Sequence, residues 1–306
     1  MRAEVNAGPR PGKALAAAAA VLSAACWGSA TVLSKGLLEH MPPLTLLAVQ
    51  LGASVTFLWL AVWIMRLRVH LDRPTRRASL SGLLEPGIAY TLSIAGLALT
   101  TASNATLIGT AEPLFIVLLA WLFLKERAGA LLLTLSLLAG CGIALVILPD
   151  IRGNTGAGSL LGDVLVALGT LFGALYVIAT RRLVLTLEPL PLSALQQSAG
   201  LLWTLGVSAA ALLLGLTELG LSGISATVLL LAAVAGIVQY ALAFWFYLFA
   251  LRRLPANIAA FYLALIPVFG VAAAYLFLGE SLLAVQWAGG VLIVGAVALV
   301  SLLSRE

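Results

Sequence analysis

The sequence predicts an all-α integral membrane protein of ten transmembrane helices, arranged as two inverted five-helix repeats around a central cavity. Three observations predict this fold: an apolar composition, a row of ten membrane-length stretches and an internal repeat. Apolar residues make up 62% of the 306 residues and charged residues 9%, against roughly 45–50% and about 25% in soluble domains. Because so few charges could not cover the surface of a water-soluble fold, we expect the lipid bilayer to surround the chain.

Ten apolar stretches follow one another along the chain, each of about 20 residues and long enough for a helix to cross about 30 Å of hydrocarbon. Proline, glycine and asparagine mark many of the breaks between them. The connection at 100–103 is so short that the third and fourth helices should be adjacent and antiparallel. The stretches lie at roughly 14–36, 44–65, 79–99, 104–124, 129–148, 160–180, 192–214, 225–250, 257–278 and 282–303.

The basic residues predict the orientation of these helices. If the N-terminus is cytoplasmic, all of the 17 Lys and Arg residues except Lys35 and Arg152 fall on inner segments. Inner loops of membrane proteins carry such an excess, so we expect a cytoplasmic tail at 1–13, both termini inside and an even number of helices. The net charge of +5 could suggest nucleic acid. However, the basic residues stand in short runs between apolar stretches, so no nucleic-acid partner is expected.

The two cysteines, Cys26 and Cys141, both lie inside apolar stretches and lack the spacing of metal ligands. We therefore expect no disulfide framework, no metal site and no cofactor. Residues 10–26 resemble a signal peptide, and Leu22 comes close to completing a lipoprotein cleavage box at Cys26. The leucine is one position too far from the cysteine, and the apolar run continues to Leu38, so a retained helix is predicted.

The internal repeat aligns residues 113–148 with 267–302 without a gap. Leucine and alanine matches mean little in so apolar a chain, and chance similarity between apolar helices is the alternative explanation. Proline, phenylalanine and glutamate in fixed register are harder to attribute to chance. These matches are Pro113 with Pro267, Phe115 with Phe269, and Glu126 with Glu280.

The repeat unit holds about five helices, and the beginning of the unit also recurs, since Trp27-Gly28 matches Phe172-Gly173. Because five is an odd number, the second copy must cross the membrane in the opposite direction. We place the first repeat at 14–148 and the second at 160–303. Inverted repeats are common in secondary transporters, whose binding site lies near the bilayer midplane between the halves.

Three segments resemble the EamA-type transporters, a family of the drug/metabolite transporter superfamily. The segment 25–30 resembles the signature of that family's first helix, and 112–126 and 266–280 resemble the ends of its two repeats. The resemblance covers nearly the whole chain. It implies ten helices, cytoplasmic termini, a central cavity and efflux of amino acids or other metabolites. Within the family, the chain is most similar to the aromatic amino-acid exporters of bacterial inner membranes.

Two carboxylates lie well inside apolar stretches, where an ionisable group usually faces a cavity or a partner. Glu112 could bind a substrate ammonium or carry a coupling proton. Alternatively, it could cap a helix break at Pro113, and the occurrence of Ile266 at the matched position supports this reading. For Glu85, beside Pro86, we expect a structural or gating role. Glu126 and Glu280 end their helices, where orientation and loop contacts are the expected tasks.

Aromatic and amide side chains at mid-depth are the remaining candidates for a cavity that binds a small molecule. The alternative is that they belong to the aromatic belt and to ordinary packing. We also expect Pro113 and Pro267 to be symmetric hinges, because proline removes a helix hydrogen bond and allows bending. The predicted cavity residues are Trp27, Tyr90, Ser93, Asn104, Glu112, Tyr176, Gln239, Tyr240, Phe244, Trp245, Asn257 and Tyr262.

The function class that the sequence favours is a carrier that alternates access, with an enzyme and a channel or scaffold as weaker alternatives. His40 and His70 lie near membrane edges, and no hydrolase, metalloprotease or nucleotide-binding motif is present. The scarcity of intramembrane charges argues against phosphate-rich substrates, so a neutral or zwitterionic solute with apolar parts fits better. Glycine-rich helices 5 and 10 should form a peripheral scaffold or a dimer face, consistent with a monomer or homodimer.

Overall fold

The computed structural model is a bundle of helices, and it contains no β-strand among the residues that it describes. Those residues are 11–69, 72–124, 130–151, 158–180, 188–215, 220, 223–251, 253–254, 262–263 and 265–303.

The helices correspond in order to the ten apolar stretches, and we number them α1 to α10. Three of them consist of more than one segment, and α9 is described from Ile266. The bounds are α1 Pro11–Leu37, α2 Pro43–Ile64, α3 Arg73–Leu99, α4 Ala102–Gly109 and Glu112–Leu124, α5 Ala130–Ile151, α6 Leu160–Thr180, α7 Pro189–Leu213, α8 Ala226–Gly236 with Ile237–Leu242 and Ala243–Leu251, α9 Ile266–Leu278, and α10 Ala284–Leu303.

Local sequence signals explain where several of these helices begin and end. The α3 helix starts after Asp72, whose carboxylate accepts a hydrogen bond from the Thr75 amide. In the same way, α4 starts after Thr101 and α8 after Ser225, each of which caps an amide three residues later. These are typical N-cap arrangements. The α9 helix ends at Gly279 with φ of +67°, a left-handed conformation that glycine adopts without strain.

Five of the described helices satisfy both the length and the apolarity needed to cross a membrane. Their spans are Ala14–Leu37, Pro43–Ile64, Arg73–Leu99, Leu160–Ala179 and Ala226–Ala250, and shorter apolar helices accompany them. Together with the tandem repeat, this confirms the predicted fold of two inverted five-helix halves. We call the end of the bundle where α1 begins the N-face, and the end where α1 finishes at Leu37 the opposite face.

The two halves make matched glycine contacts, which follow from the repeat in the sequence. Gly28 of α1 packs on α9 so closely that an added Cβ would lie 2.6 Å from the carbonyl oxygen of Ile266. Its repeat partner Gly173, in α6, faces Glu112 of α4, with 3.3 Å from an added Cβ to Oε1. Since Glu112 and Ile266 are also repeat partners, the same contact occurs twice, and each time it joins one half to the other.

A second matched pair of glycine contacts joins α3 to α7 and α8 to α2, again between the two halves. Gly82 of α3 packs directly on the backbone of Gln196 in α7, and Gly236 of α8 packs directly on the backbone of Gln50 in α2. No side chain could be added at either glycine without moving the neighbouring backbone. The two glycines are repeat partners, so the contacts identify Gln50 and Gln196 as equivalent positions in the two halves.

Three helices are interrupted near mid-depth, and in α9 a segment begins at a matched place. In α3, Glu85 has non-helical angles of φ −143° and ψ 122°. In α8, a π-helical turn at Ile237–Leu242 occupies the corresponding position. The α4 helix is broken between Gly109 and Glu112, and α9 starts a segment at Ile266, the repeat partner of Glu112. The sequence predicted one continuous fourth helix at 104–124, whereas two segments are observed because residues 110 and 111 form a turn.

The α5 and α10 helices pack along each other. An added Cβ at Gly142 would lie 2.8 Å from the Gly289 carbonyl oxygen, while Gly140 has no heavy atom within 4 Å. The main buried apolar cluster runs through most of the bundle, with residues such as Leu46, Ile108 and Ala235, and it includes Val146 of α5 and Ile293 of α10. The close approach of α5 and α10 agrees with the small-residue interface that the sequence predicted, and a dimer face stays a prediction.

Candidate functional site

Two carboxylates from neighbouring helices face each other at the centre of the bundle. An added Cβ at Gly173 would lie 3.3 Å from Glu112 Oε1 and 3.5 Å from Glu85 Oε2. The two oxygens are therefore at most about 7 Å apart, where two full charges repel by about 2 kcal/mol or more at an effective dielectric of about 20. An arrangement of this kind favours a positive charge bound between the two groups.

The interruptions of α3 and α4 are what bring these carboxylates together. Glu85 lies at the non-helical residue of α3, and Glu112 begins the second segment of α4. Both stand roughly 15–21 Å along the helix from either end of their span, given a rise of about 1.5 Å per residue. Each keeps some accessible surface although protein surrounds it, as expected for side chains that face an internal cavity.

Aromatic rings form a wall beside the carboxylate pair. Tyr90, which hydrogen-bonds to Glu85, has its ring centroid 4.8 Å from that of Tyr240 and 6.3 Å from that of Phe244. Trp27 continues the wall, at 5.2 Å from Phe244 and 5.6 Å from Tyr247, both in edge-to-face geometry. Such edge-to-face pairs at 4.5–7 Å are favourable. The wall brings α1, α3 and α8 to one place.

The site is asymmetric between the repeats. The repeat partner of Glu85 is Gln239, and the repeat partner of Glu112 is Ile266. The partner of Tyr90 is Phe244, which keeps the ring but lacks the hydroxyl. The first repeat thus supplies the acidic side of the site, and the second repeat supplies most of the aromatic side.

Two amide networks flank the site, one in each half. Buried Gln196 accepts a hydrogen bond from the Tyr176 hydroxyl at 3.0 Å and donates to Ser81 Oγ at 3.1 Å. Its equivalent Gln50 donates a hydrogen bond to Ser34 Oγ at 2.8 Å and accepts one from the Tyr240 hydroxyl at 3.4 Å.

Ser34 in turn donates to Gln239 Oε1 at 3.0 Å. The second network therefore ties α1, α2 and α8 together next to the aromatic wall. Because buried amides are stabilised only when they are hydrogen-bonded, these networks fix the rotation of α2 and α7 about their axes.

At the opposite face of the bundle, Glu280, which follows α9, joins the second repeat to the first, and we call this contact the seal. Its carboxylate accepts hydrogen bonds from the backbone amides of Ala102 and Ser103 at 2.9 Å each, and from Ser103 Oγ at 2.7 Å. A carboxylate at a helix N-terminus satisfies free amides and complements the helix dipole. Nearby, Lys35 donates to the Leu97 carbonyl at 2.9 Å. These contacts join the second repeat to the first and agree with the loop-contact role predicted for Glu280.

A polar network lies just inside this seal. Asn104 Oδ1 accepts from Gln286 at 2.8 Å, and Asn104 Nδ2 approaches Asp163 at 3.4 Å. Thr100 donates to the same Asp163 oxygen at 2.6 Å. These residues join α4, α6 and α10, and all four are almost completely buried.

The structure thus brings together Trp27, Tyr90, Glu112, Tyr176, Gln239, Tyr240 and Phe244 of the predicted cavity residues. It places four others elsewhere. Asn104 belongs to the network inside the seal, and Ser93 faces Gly169 of α6 at the α3–α6 interface. Trp245 stacks on Phe246, and Tyr262 packs against Leu254 and the first turns of α1.

Asn257 lies outside the described residues. The two hinge candidates occupy equivalent positions, each the second residue of a helix segment that begins at Glu112 or Ile266. Pro267 is buried there. Hinge movement itself stays a prediction.

Several residues of the site were not among the predicted cavity residues. The sequence predicts a structural or gating role for Glu85, and it does not single out Tyr247. Gln50 and Gln196 were missed, and with them the contribution of α2 and α7. An amide inside an apolar stretch was the available signal, because such a group needs a buried partner.

Comparisons with known proteins agree with this architecture. A family model described as the EamA-like transporter family matches residues 14–148 and 160–302. The chain belongs to the EamA-like transporter family. The two matches show the tandem repeat directly.

Solved structures add evidence at the level of the fold. One of them, titled only as a crystal structure of a protein, shares 19% identity and has a TM-score of 0.64, covering 97% of this chain and 100% of its own. No curated protein matched the chain. Membership of the EamA-like family makes this a multi-pass membrane protein of the drug/metabolite transporter type, and members of that family are transporters and not enzymes.

Proposed function

We propose that the protein is an alternating-access secondary transporter that exports small amphipathic metabolites across the bacterial inner membrane, amino acids and particularly aromatic ones among them. The observation that carries the proposal is the carboxylate pair Glu85 and Glu112 beside the aromatic wall at mid-depth. A substrate amino group would bind the carboxylates, and an apolar or aromatic part would pack on the rings. A mostly apolar site with a few placed polar groups is typical of small-molecule binding.

The interrupted helices and the seal support alternating access. The interruptions of α3, α4 and α8, together with the segment that begins at the equivalent place in α9, would allow each half to bend where it contacts the site. Glu280 closes the opposite face in this conformation, so a substrate would enter from the N-face. The excess of basic residues at the N-face supports a cytoplasmic location for both termini, and loading from there corresponds to export.

Coupling to protons forms part of the proposal. The carboxylate pair is the candidate proton carrier, and it interacts electrostatically with the hydroxyls of Tyr90, Tyr176 and Tyr247, from α3, α6 and α8. In a proton-coupled exporter, protons would enter the cell as the substrate leaves it. The pH change that accompanies substrate movement can be measured in vesicles.

The transport proposal is tested by counterflow in proteoliposomes with labelled phenylalanine, tyrosine and tryptophan, with and without a pH gradient. We expect uptake by the native protein and a loss of at least tenfold in Glu112→Gln, because the neutral amide cannot pair with an ammonium. Glu39→Gln is the matched control, since Glu39 is an exposed carboxylate outside the site. Absence of counterflow for every amino acid tested would contradict the amino-acid assignment.

The hinge interpretation predicts a separate result. Replacing Pro113 and Pro267 together with alanine restores a backbone amide at each helix interruption and stiffens both. We expect the rate of counterflow to fall severalfold while binding of the substrate, measured by calorimetry, stays within twofold. Unchanged transport in the double variant and in both single variants would show that the prolines do not act as hinges.

A further inference from the structure

The site contains two acidic side chains and no basic one. All Lys, Arg and His residues of the sequence stand at or beyond helix ends, and the residues at mid-depth of the ten spans include none. Lys35, the basic side chain near the end of α1, is bound to the Leu97 and Ala98 carbonyls at the opposite face. A substrate carboxylate would therefore meet no basic partner beside Glu85 and Glu112.

Backbone amides at a helix start are the usual substitute for a basic side chain, since half-helix N-termini bind substrate carboxylates in other transporters. Here the second segment of α4 already begins with the carboxylate of Glu112. The equivalent start of α9, at Ile266, is packed against Gly28 of α1. The first position repels an anion, and the second is covered by a neighbouring helix.

The remaining surface of the site suits a cation with an aromatic part. Ammonium groups bind over aromatic faces as well as to carboxylates, and Tyr90 lies between both kinds of group, bonded to Glu85 and packed on Tyr240. The asymmetry of the repeats predicts how a substrate would be oriented. Both carboxylates belong to the first half, and the rings of Phe244 and Tyr247 belong to the second. A molecule with one charged and one aromatic end matches this division.

We infer that the preferred substrates are amphipathic aromatic amines that carry one positive charge and no carboxylate, with the ammonium between Glu85 and Glu112 and the ring on Trp27 and Phe244. The inference rests on the proposed transport function and narrows its substrate class. An aromatic amino acid carries the same ammonium and ring, but its carboxylate adds a negative charge to a site that already holds two acidic groups.

Matched ligand pairs test the inference by binding alone. Purified protein in detergent is titrated by calorimetry with tryptamine and tryptophan, with tyramine and tyrosine, and with indole-3-propionate as the anion that lacks the amine. We expect each amine to bind at least tenfold more tightly than its amino acid, and the anion not to bind. Hexylamine should bind more weakly than tryptamine, because it lacks the ring.

Substitutions of the site residues test whether they bind the amine. Glu112→Gln and Glu85→Gln should each weaken tryptamine binding at least tenfold, whereas Phe244→Ala should weaken tryptamine and leave hexylamine within twofold. Glu39→Gln is the control and should bind tryptamine as the native protein does. Size-exclusion profiles establish folding, and two independent glutamate variants keep the test valid if one of them does not fold.

The outcomes separate this inference from the proposed function. Tryptophan binding as tightly as tryptamine, or no binding of either, would overturn the amine preference. Counterflow of tryptophan that tryptamine does not inhibit would do the same while leaving the transport function intact. Tight tryptamine binding without counterflow of any ligand would support the site and contradict the transporter.

Discussion

Replacing Gly142 with leucine should strongly destabilise the packing of α5 on α10. An added Cβ at this position would lie 2.8 Å from the Gly289 carbonyl oxygen and 2.8 Å from Ile293 Cγ1. Overpacking a well-filled interface costs about 1–3 kcal/mol, and a clash with a helix backbone cannot be relieved by a change of rotamer. We expect a lower melting temperature in detergent and a smaller monodisperse fraction after purification.

The matched control is Gly140→Leu, two residues earlier in the same helix. Gly140 is exposed and has no heavy atom within 4 Å of an added Cβ. Leucine is favoured over glycine in a helix by up to about 1 kcal/mol, so the control should be neutral or slightly stabilising. Equal melting temperatures for the two variants would contradict the close approach of α5 and α10 at Gly142.

The fold could be predicted from the sequence because membrane helices leave two strong signals. Each span must satisfy its own backbone hydrogen bonds in lipid, so a run of about 20 apolar residues is enough to identify it. The repeat then became visible through Pro113 and Pro267 and through Glu126 and Glu280, residue types that apolar stretches contain rarely. The contacts of Gly28 and Gly173 show that this repeat is structural as well as sequential.

The site was predicted only in part because periodicity does not reveal how a helix is rotated in a bundle. Most spans are apolar on all sides, so the periodicity of α2 and α7 does not show which neighbours Gln50 and Gln196 contact. Their equivalence became visible through the glycines that pack on them. Asn104 was predicted to line the cavity because it lies in an apolar stretch. However, it belongs to the first turn of α4, close to the seal, and its partners there are Gln286 and Asp163.

The role of Glu85 shows a second limit of sequence reasoning. The position beside Pro86 suggested a structural or gating role, because proline interrupts helices. The structure places the Glu85 carboxylate opposite Glu112, at a residue with non-helical backbone angles. The interruption and the charge therefore serve the same site, and only the packing of α6 at Gly173 shows that the two glutamates meet.

Removing the carboxylate of Glu280 should open the opposite face. Glu280→Ala leaves the amides of Ala102 and Ser103 without their acceptor and deletes three charge-assisted hydrogen bonds. Such bonds contribute about 1.5–3 kcal/mol each, so the loss of one or two of them, about 3 kcal/mol, is enough to raise the open population about a hundredfold. We expect Ala105→Cys, one turn inside the seal, to react about a hundredfold faster with a maleimide in the Glu280→Ala background.

The measurement uses detergent-solubilised protein in which Cys26 and Cys141 have been replaced by alanine, so that labelling reports the introduced cysteine alone. Glu39→Ala, which removes an exposed carboxylate near the same face, is the matched control and should leave the rate unchanged. Glu280→Gln should give an intermediate rate, because the amide oxygen can still accept from one backbone amide but carries no charge to complement the helix dipole. If the rate in Glu280→Ala equals that of the control, the seal is maintained by the network of Thr100, Asp163 and Gln286 alone, and Glu280 only caps α4.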